Sequence, residues 1–363
     1  MQTIKSIKLT RACAAALVAA CASLSGPLFA ADAGSAPLLL SGRWVQNSDH
    51  WQATWPGVAM AARFQGSAVG VVLNDARSHY AVEIDGQPVA QISPASGKRT
   101  VWIRDLAAGE HRIELIRRNE TPDYAGSVYG FTLDGGQWLA APTPQRKIEF
   151  IGDSFTAALA NLSNQRDCSD AEISSSTDIS QGFAIQLSRQ LGAQWQTNAM
   201  SGMGLIRNWN GNLPDRDFRT FYTRQLQTDA NSKPDSHWQP QLVVIGLGVN
   251  DFSTPVNPGE QRNTEQRAKD FQAAYRELIK TLNARYKTPH IIVTAMKLWP
   301  DDQQRPNVRA VVDAEQAAGN QRIHYLQLDA MQLSACQWHP NRADHRQVTQ
   351  QLLDKIATIK MQW

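Results

Sequence analysis

Cysteine is scarce in this 363-residue chain: Cys13 and Cys21 fall within the first thirty positions, and only Cys168 and Cys336 lie beyond them. No pair of cysteines or histidines has the spacing of a zinc site, so neither a metal nor another cofactor is expected. Charge of one sign is missing as well. The chain carries 36 basic and 33 acidic residues, and Lys5, Lys8 and Arg11, in a leading stretch without Asp or Glu, account for the whole excess. A neutral remainder gives no electrostatic case for nucleic acid or an anionic membrane. There is no internal repeat and no low-complexity tract, and nothing implies a protein partner.

The long apolar run needed for a membrane span is also lacking. Ala12 to Leu24 is almost wholly apolar but too short to cross a bilayer, so no stable membrane insertion is expected. Preceded by three basic residues and followed by Gly26-Pro27 and Leu28-Phe29-Ala30, it reads as an export signal over residues 1–30. The alternative is a lipoprotein-processing box at Val18-Ala19-Ala20-Cys21, which would place a lipid on Cys21. Either reading takes the protein out of the cytoplasm, to a periplasmic or extracellular location. There a disulfide between Cys168 and Cys336 is permitted, against the plainer reading of two buried thiols.

What the chain does have is two kinds of pattern. From about 35 to 140 it offers short alternating segments separated by turn residues: Val69 to Leu73, Tyr80 to Ile84, Thr100 to Ile103, His111 to Ile116 and Val128 to Leu133. Strands at this spacing without helices imply an antiparallel β-sandwich of jelly-roll type. Its tryptophans, Trp44, Trp51, Trp55 and Trp102, are expected to pack in the core and at edges, with a sugar-stacking platform as the alternative for one or two of them. A proline-bearing stretch over 141–146 reads as a linker.

From 147 to 363 strands alternate with helices. Lys147 to Ile151 reads as a short apolar strand and Leu242 to Leu247 as a buried one, and Ile291 to Ala295 and Ile323 to Leu328 read as two more. Phe271, Tyr275, Leu278 and Leu282 mark one face of a helix, and Val348, Leu352, Ile356 and Ile359 mark another. The expectation is a three-layer α/β/α domain around a parallel sheet.

Ligands of open parallel sheets bind beyond the carboxyl ends of the strands. Ser154, in Ile151-Gly152-Asp153-Ser154, follows the strand at 147, and Asn250, in Leu247-Gly248-Val249-Asn250-Asp251, follows the strand at 242. Gly202, in Ser201-Gly202-Met203-Gly204, comes after a possible strand at Gln194 to Ala199. His339, in Trp338-His339-Pro340-Asn341, precedes the last helix. Four distant segments thus converge on one rim, as a nucleophile, its base and its supports must.

These segments resemble the four blocks of the SGNH hydrolases. With the preceding β-sandwich, the chain is similar to the second family of carbohydrate esterases, whose jelly roll plus SGNH architecture covers nearly all of it. The resemblance implies Ser154 as nucleophile and His339 as base, with the amides of Ser154 and Gly202 and the side chain of Asn250 forming an oxyanion hole. It implies removal of acetyl groups from an acetylated polysaccharide or oligosaccharide such as xylan, glucomannan or a 6-O-acetyl sugar. Glycine at 202 is expected to let the backbone approach the reacting atom closely.

One departure stands out. Many SGNH hydrolases hold an Asp three residues before the histidine; here that residue is Cys336, which leaves a Ser–His dyad whose ring a backbone carbonyl would hold. Members of the narrower family often have an Asp two residues before it, where this chain has Gln337. Asp344 is a possible substitute, or simply a first-turn helix residue. His345 reads as a helix-surface residue, His290 as structural, and Asp153 and Asp251 as braces for the Ser154 and Asn250 turns. Two other functions stay open: an SGNH lipase or thioesterase on non-sugar esters, and a non-catalytic carbohydrate-binding protein.

Overall fold

The computed structural model describes residues 35–260 and 262–363; the expected export signal, with Cys21, lies outside them. Between Leu39 and Leu139 the chain builds two antiparallel sheets. One runs in the order Leu39–Ser41, Ala59–Gly66, Gly109–Arg117, Tyr80–Ile84, Gln87–Ile92, with Gln137–Leu139 also paired to Ala59–Gly66. The other runs Val45–Gln46, Trp51–Ala53, Gly126–Leu133, Val69–Asp75, Ala95–Ile103. Val71, Leu73 and Val128 from one sheet meet Met60, Phe64, Val82 and Leu115 from the other in a closed sandwich core.

The strand Ala59–Gly66, central in its sheet, carries no sequence signal. Its Ala-Met-Ala-Ala start favours helix intrinsically, and tertiary packing overrides that preference. The residues alternate as a strand requires. Met60, Ala62 and Phe64 face the sandwich core, while Ala59 turns outward beside Ile116 against Ile179, Ala184 and Trp195 of the following domain. Alanine on that outer face leaves room for the second domain to come close.

That second domain has five parallel strands in the order Ala193–Ala199, Arg146–Gly152, Leu242–Gly246, His290–Met296, Ile323–Leu328. Period two sorts their side chains onto two faces. Phe150, Val244 and Ile292 face helices Phe183–Gln190 and Arg342–Ala357, through Leu187, Val348, Leu352 and Ile356. Ile151, Val243, Ile245, Ile291 and Val293 face helices Thr264–Arg285 and Gln304–Ala317, through Phe271, Tyr275, Leu278 and Val308. Both faces are covered, which is why the central strand Leu242–Gly246 reads as an unbroken apolar run. The strand order reverses beside Arg146–Gly152, and a ligand crevice opens at such a switch point.

The sandwich covers the exposed edge of Ala193–Ala199. Gly42 donates its amide to the Trp195 carbonyl at 3.0 Å, and the Trp195 indole donates to the Gly57 carbonyl at 2.8 Å. Arg43, 1% exposed, inserts between the rings of Trp55 and Tyr222 and donates to the carbonyls of Tyr222 and Arg224 at 2.7 and 2.6 Å. Its guanidinium lies 3.9 Å from the buried Glu149 carboxylate. Truncating one partner of a buried ion pair strands the other charge, so Arg43→Ala is expected to lower stability by about 3–5 kcal/mol in chemical denaturation. A loss under about 1 kcal/mol would show that Glu149 is satisfied without it, by Asn198 and Tyr222 alone.

Candidate active site

Ser154 sits on the tight turn that leaves strand Arg146–Gly152, and His339 on the loop before helix Arg342–Ala357. They meet: His339 Nε2 lies 2.8 Å from Ser154 Oγ. On its other side the ring donates Nδ1–H to the carbonyl of Cys336 at 2.8 Å. Because Nδ1 carries the proton, Nε2 presents its lone pair to the serine hydroxyl. Burial, with the Phe155 ring edge-on at 5.3 Å, holds the imidazole below its ordinary pKa; the Cys336 carbonyl opposes that shift.

A carbonyl thus stands where many SGNH hydrolases have a carboxylate. Asp344 does not reach the ring. Its carboxylate accepts from the amides of Gln332 at 2.8 Å, Leu333 at 3.0 Å and Asn341 at 3.1 Å, so it caps the last helix and anchors the loop leading to His339. The Gln337 side chain is exposed, and the backbone amide of Gln337 donates to the Arg166 carbonyl at 2.8 Å. Gln337 and Trp338 are both left-handed, with φ of 53° and 63°. Such residues cost roughly 1–3 kcal/mol each and persist only where the surroundings hold them. Here a Cys168–Cys336 disulfide closes the loop from one side.

The remaining predicted residues collect on the same rim. Asn250 is buried in the turn Val249–Phe252 and donates one amide hydrogen to the Met203 carbonyl at 2.9 Å, which orients the group and leaves its second N–H free. Among the described residues the backbone amides of Ser154 and Gly202 have no hydrogen-bond acceptor. The reason for glycine at 202 differs from the sequence expectation: its φ is 73°, and among the described residues no atom beyond its two chain neighbours lies within 4 Å of where a Cβ would stand. Conformation, not crowding, selects it. Crowding applies two residues on, where a Cβ on Gly204 would stand 1.9 Å from the Arg207 carbonyl.

Asp251 braces the Gly202 block as well as its own turn. Its carboxylate accepts from Leu205 at 2.9 Å, Ile206 at 2.8 Å and Arg207 at 3.1 Å. Burial pushes it up to about 6 against those three amides. Asp153 accepts from the Phe155 amide at 3.0 Å, bracing the nucleophile turn, and burial pushes it up to about 7. The sandwich contributes too: both carboxylate oxygens of Glu120 lie 3.0 Å from the amide of Ser201, directly before Gly202.

His345 corrects the sequence reading. It is 1% exposed, not on the helix surface, because its helix packs on Phe183–Gln190; its Nδ1 accepts from the Phe183 amide at 3.3 Å, and burial pushes it down to about 3. His290 opens its strand and meets His324 at 3.1 Å, away from the rim.

Tryptophan is where sequence reasoning looked in the wrong place. Trp44 and Trp55 are core residues, and Trp102 is exposed beneath the Arg104 guanidinium. Three other tryptophans stand about half exposed on rim loops: Trp209 at 51%, Trp299 at 51% and Trp338 at 50%. The Trp209 amide donates to the Gly202 carbonyl at 2.9 Å, Trp338 directly precedes His339, and Trp299 meets Trp338 edge-on at 6.0 Å. Their adjacency to motif residues on loops beyond strand ends is the signal that could have found them.

Residues 40–142 match the model of the carbohydrate esterase 2 N-terminal domain, and residues 150–351 match that of the GDSL-like lipase/acylhydrolase family. An acetylxylan esterase / glucomannan deacetylase of Cellvibrio japonicus is 31% identical over 94% of this chain and 96% of its own. The chain belongs to carbohydrate esterase family two. Its architecture agrees with that of solved members. A carbohydrate esterase whose active site is described as having divergent catalytic and non-catalytic binding functions superposes with a TM-score of 0.83, at 28% identity, over 90% of this chain and 99% of that one. A family two esterase of Clostridium thermocellum in complex with cellohexaose gives 0.78, at 28% identity, over 88% and 98%. As a family two esterase, this protein is a carboxylic ester hydrolase.

Two outcomes follow for this site. The base must be neutral to accept a proton, so depression of the His339 pKa puts the acid limb of kcat/KM below the ordinary imidazole value of about 6.5. A limb above that value would contradict the buried setting. Asn250→Ala is expected to reduce kcat by about 10²–10³, with KM little changed; a change confined to KM would make Asn250 a binding residue only.

Proposed function

We propose that this protein removes O-acetyl groups from acetylated polysaccharide or oligosaccharide of the xylan or glucomannan type through an acetyl-enzyme at Ser154. The observation that carries the reading is the 2.8 Å contact between Ser154 Oγ and an imidazole whose other nitrogen is already committed to a carbonyl. Ser154 Oγ attacks the acetyl carbonyl as its proton passes to His339 Nε2. The oxyanion that forms takes hydrogen bonds from the amides of Ser154 and Gly202 and from the free N–H of Asn250. Collapse expels the sugar oxygen, which takes the proton back from His339. Water, deprotonated by the same nitrogen, then releases acetate and restores the serine.

The sugar preference is supported by Trp209, Trp299 and Trp338, flat apolar faces of the kind that stack on pyranose rings, placed beside Gly202 and His339. The Cellvibrio japonicus relative is an acetylxylan esterase / glucomannan deacetylase, and the Clostridium thermocellum esterase is seen with cellohexaose. A polymer substrate lies outside the cell, and the basic, apolar, small-residue order of residues 1–30 supports export to reach it, with lipid attachment at Cys21 as the alternative route.

The test is acetate release from acetylated xylan, acetylated glucomannan and 6-O-acetyl glucose, beside acetyl and long-chain 4-nitrophenyl esters. Acetyl esters should be strongly preferred, and Ser154→Ala and His339→Ala should each abolish most turnover while unfolding like the parent. Full activity in either folded variant, or preference for the long-chain ester, overturns the reading. Trp209→Ala should raise KM for acetylated polymer about tenfold more than for 4-nitrophenyl acetate, the worth of one good aromatic contact. Equal effects on both would remove Trp209 from the sugar site.

A further inference from the structure

We propose that Arg166, acting with the Cys168–Cys336 bridge, is a positioning residue for the base: the segment 166–168 clamps the strained loop whose carbonyl orients His339. The proposal rests on the reading of Ser154 and His339 as nucleophile and base.

The need for a clamp is set by local geometry. The Cys336 carbonyl that receives Nδ1–H is separated from His339 by Gln337 and Trp338, two left-handed residues that lack glycine's freedom. If either relaxed to a right-handed or extended conformation, the carbonyl would swing away and the ring would lose both its tautomer and its aim. Among the described residues no carboxylate backs up the arrangement, since Asp344 is spent on the amides of Gln332, Leu333 and Asn341.

Arg166 engages the loop both ahead of the strained pair and at the pair itself. Its guanidinium donates from Nε to the Leu333 carbonyl at 3.1 Å and from Nη2 to the Gln332 carbonyl at 3.3 Å. Its own carbonyl accepts from the Gln337 amide at 2.8 Å. The guanidinium carbon lies 3.5 Å from the centroid of the Trp338 ring, covering that side chain. Two residues further on, Cys168 is bonded to Cys336 itself. Every residue from Cys336 to Trp338 is therefore held by the 166–168 segment, through a covalent bond, a hydrogen bond and a stacked ring in turn. Lysine could not reproduce this, because it lacks the planar fork that reaches two carbonyls while lying flat on an indole.

The test uses 4-nitrophenyl acetate, whose hydrolysis does not depend on sugar stacking at Trp338. Arg166→Ala, Arg166→Lys and the double variant C168S/C336S are compared for kcat, KM and thermal unfolding. The downfield proton resonance of His339 Nδ1–H is followed in parallel. Arg166→Ala should lose roughly 10²-fold in kcat with KM little changed, the scale expected for a misplaced base. The resonance should broaden or vanish, and lysine should rescue only part of the loss. The folded double-serine variant should show the same signature. If the alanine variant does not fold, folded Arg166→Lys must show the residual loss by itself, with kcat reduced and KM little changed. Parental kcat with an unchanged resonance in folded Arg166→Ala, or in Arg166→Lys if only that variant folds, overturns the clamp and leaves the esterase reading standing. Full activity in Ser154→Ala overturns the esterase reading instead.

Discussion

The hydrogen bond between Ser154 Oγ and His339 Nε2 joins residues 185 positions apart, and most of the structure around the rim serves to keep it short. Its serine end is set by the parallel sheet, which ends a strand two residues earlier and turns the chain at the switch point of the strand order. Its histidine end is less rigid by construction, lying on a loop with two consecutive left-handed residues. A neutral carbonyl stabilises an imidazolium less than a carboxylate does, and burial disfavours that cation further. The arrangement gains an imidazole whose pKa lies below its ordinary value, so that it stays neutral further into acid. In exchange it relies on precise placement of the ring.

The sandwich is part of that placement. It seals the edge strand Ala193–Ala199, which would otherwise expose unpaired backbone. From its loop at Glu120 it also reaches the amide next to Gly202. The Gly202 block is thereby held from two directions: Glu120 at Ser201 before it, and Asp251 at Leu205, Ile206 and Arg207 after it. Ion pairs between Arg189 and the sandwich residues Glu83 and Glu114 extend the same interface. Two domains with different periodicities thus act as one framework for a single rim.

Much of this was legible in sequence because burial on both faces forces a central strand such as Leu242–Gly246 to be apolar, and because chemistry sits beyond strand ends whatever the loops contain. The identity of the group orienting His339 was half legible: Cys336 in place of Asp implied a carbonyl, but which one depended on loop torsions. Ala59–Gly66 was invisible, since its alanines are chosen for closeness to a second domain that no local pattern describes. His345 was misplaced for a related reason: a single histidine on an amphipathic helix does not reveal that the adjacent helix covers it. No strand or helix periodicity marks Trp209, Trp299 and Trp338, because they belong to loops whose convergence is tertiary, whereas the tryptophans that local pattern singles out lie in the sandwich.

The central claim is that the hydroxyl at 154 is acylated during turnover. Mass spectrometry of peptides from enzyme quenched in the pre-steady-state phase with an acetylated substrate tests it most directly. A single acetyl group on the peptide carrying Ser154, absent from enzyme quenched after substrate is exhausted, is the predicted result. Acetyl on any other residue, or an unmodified Ser154 peptide while a burst of product is released, would contradict the account.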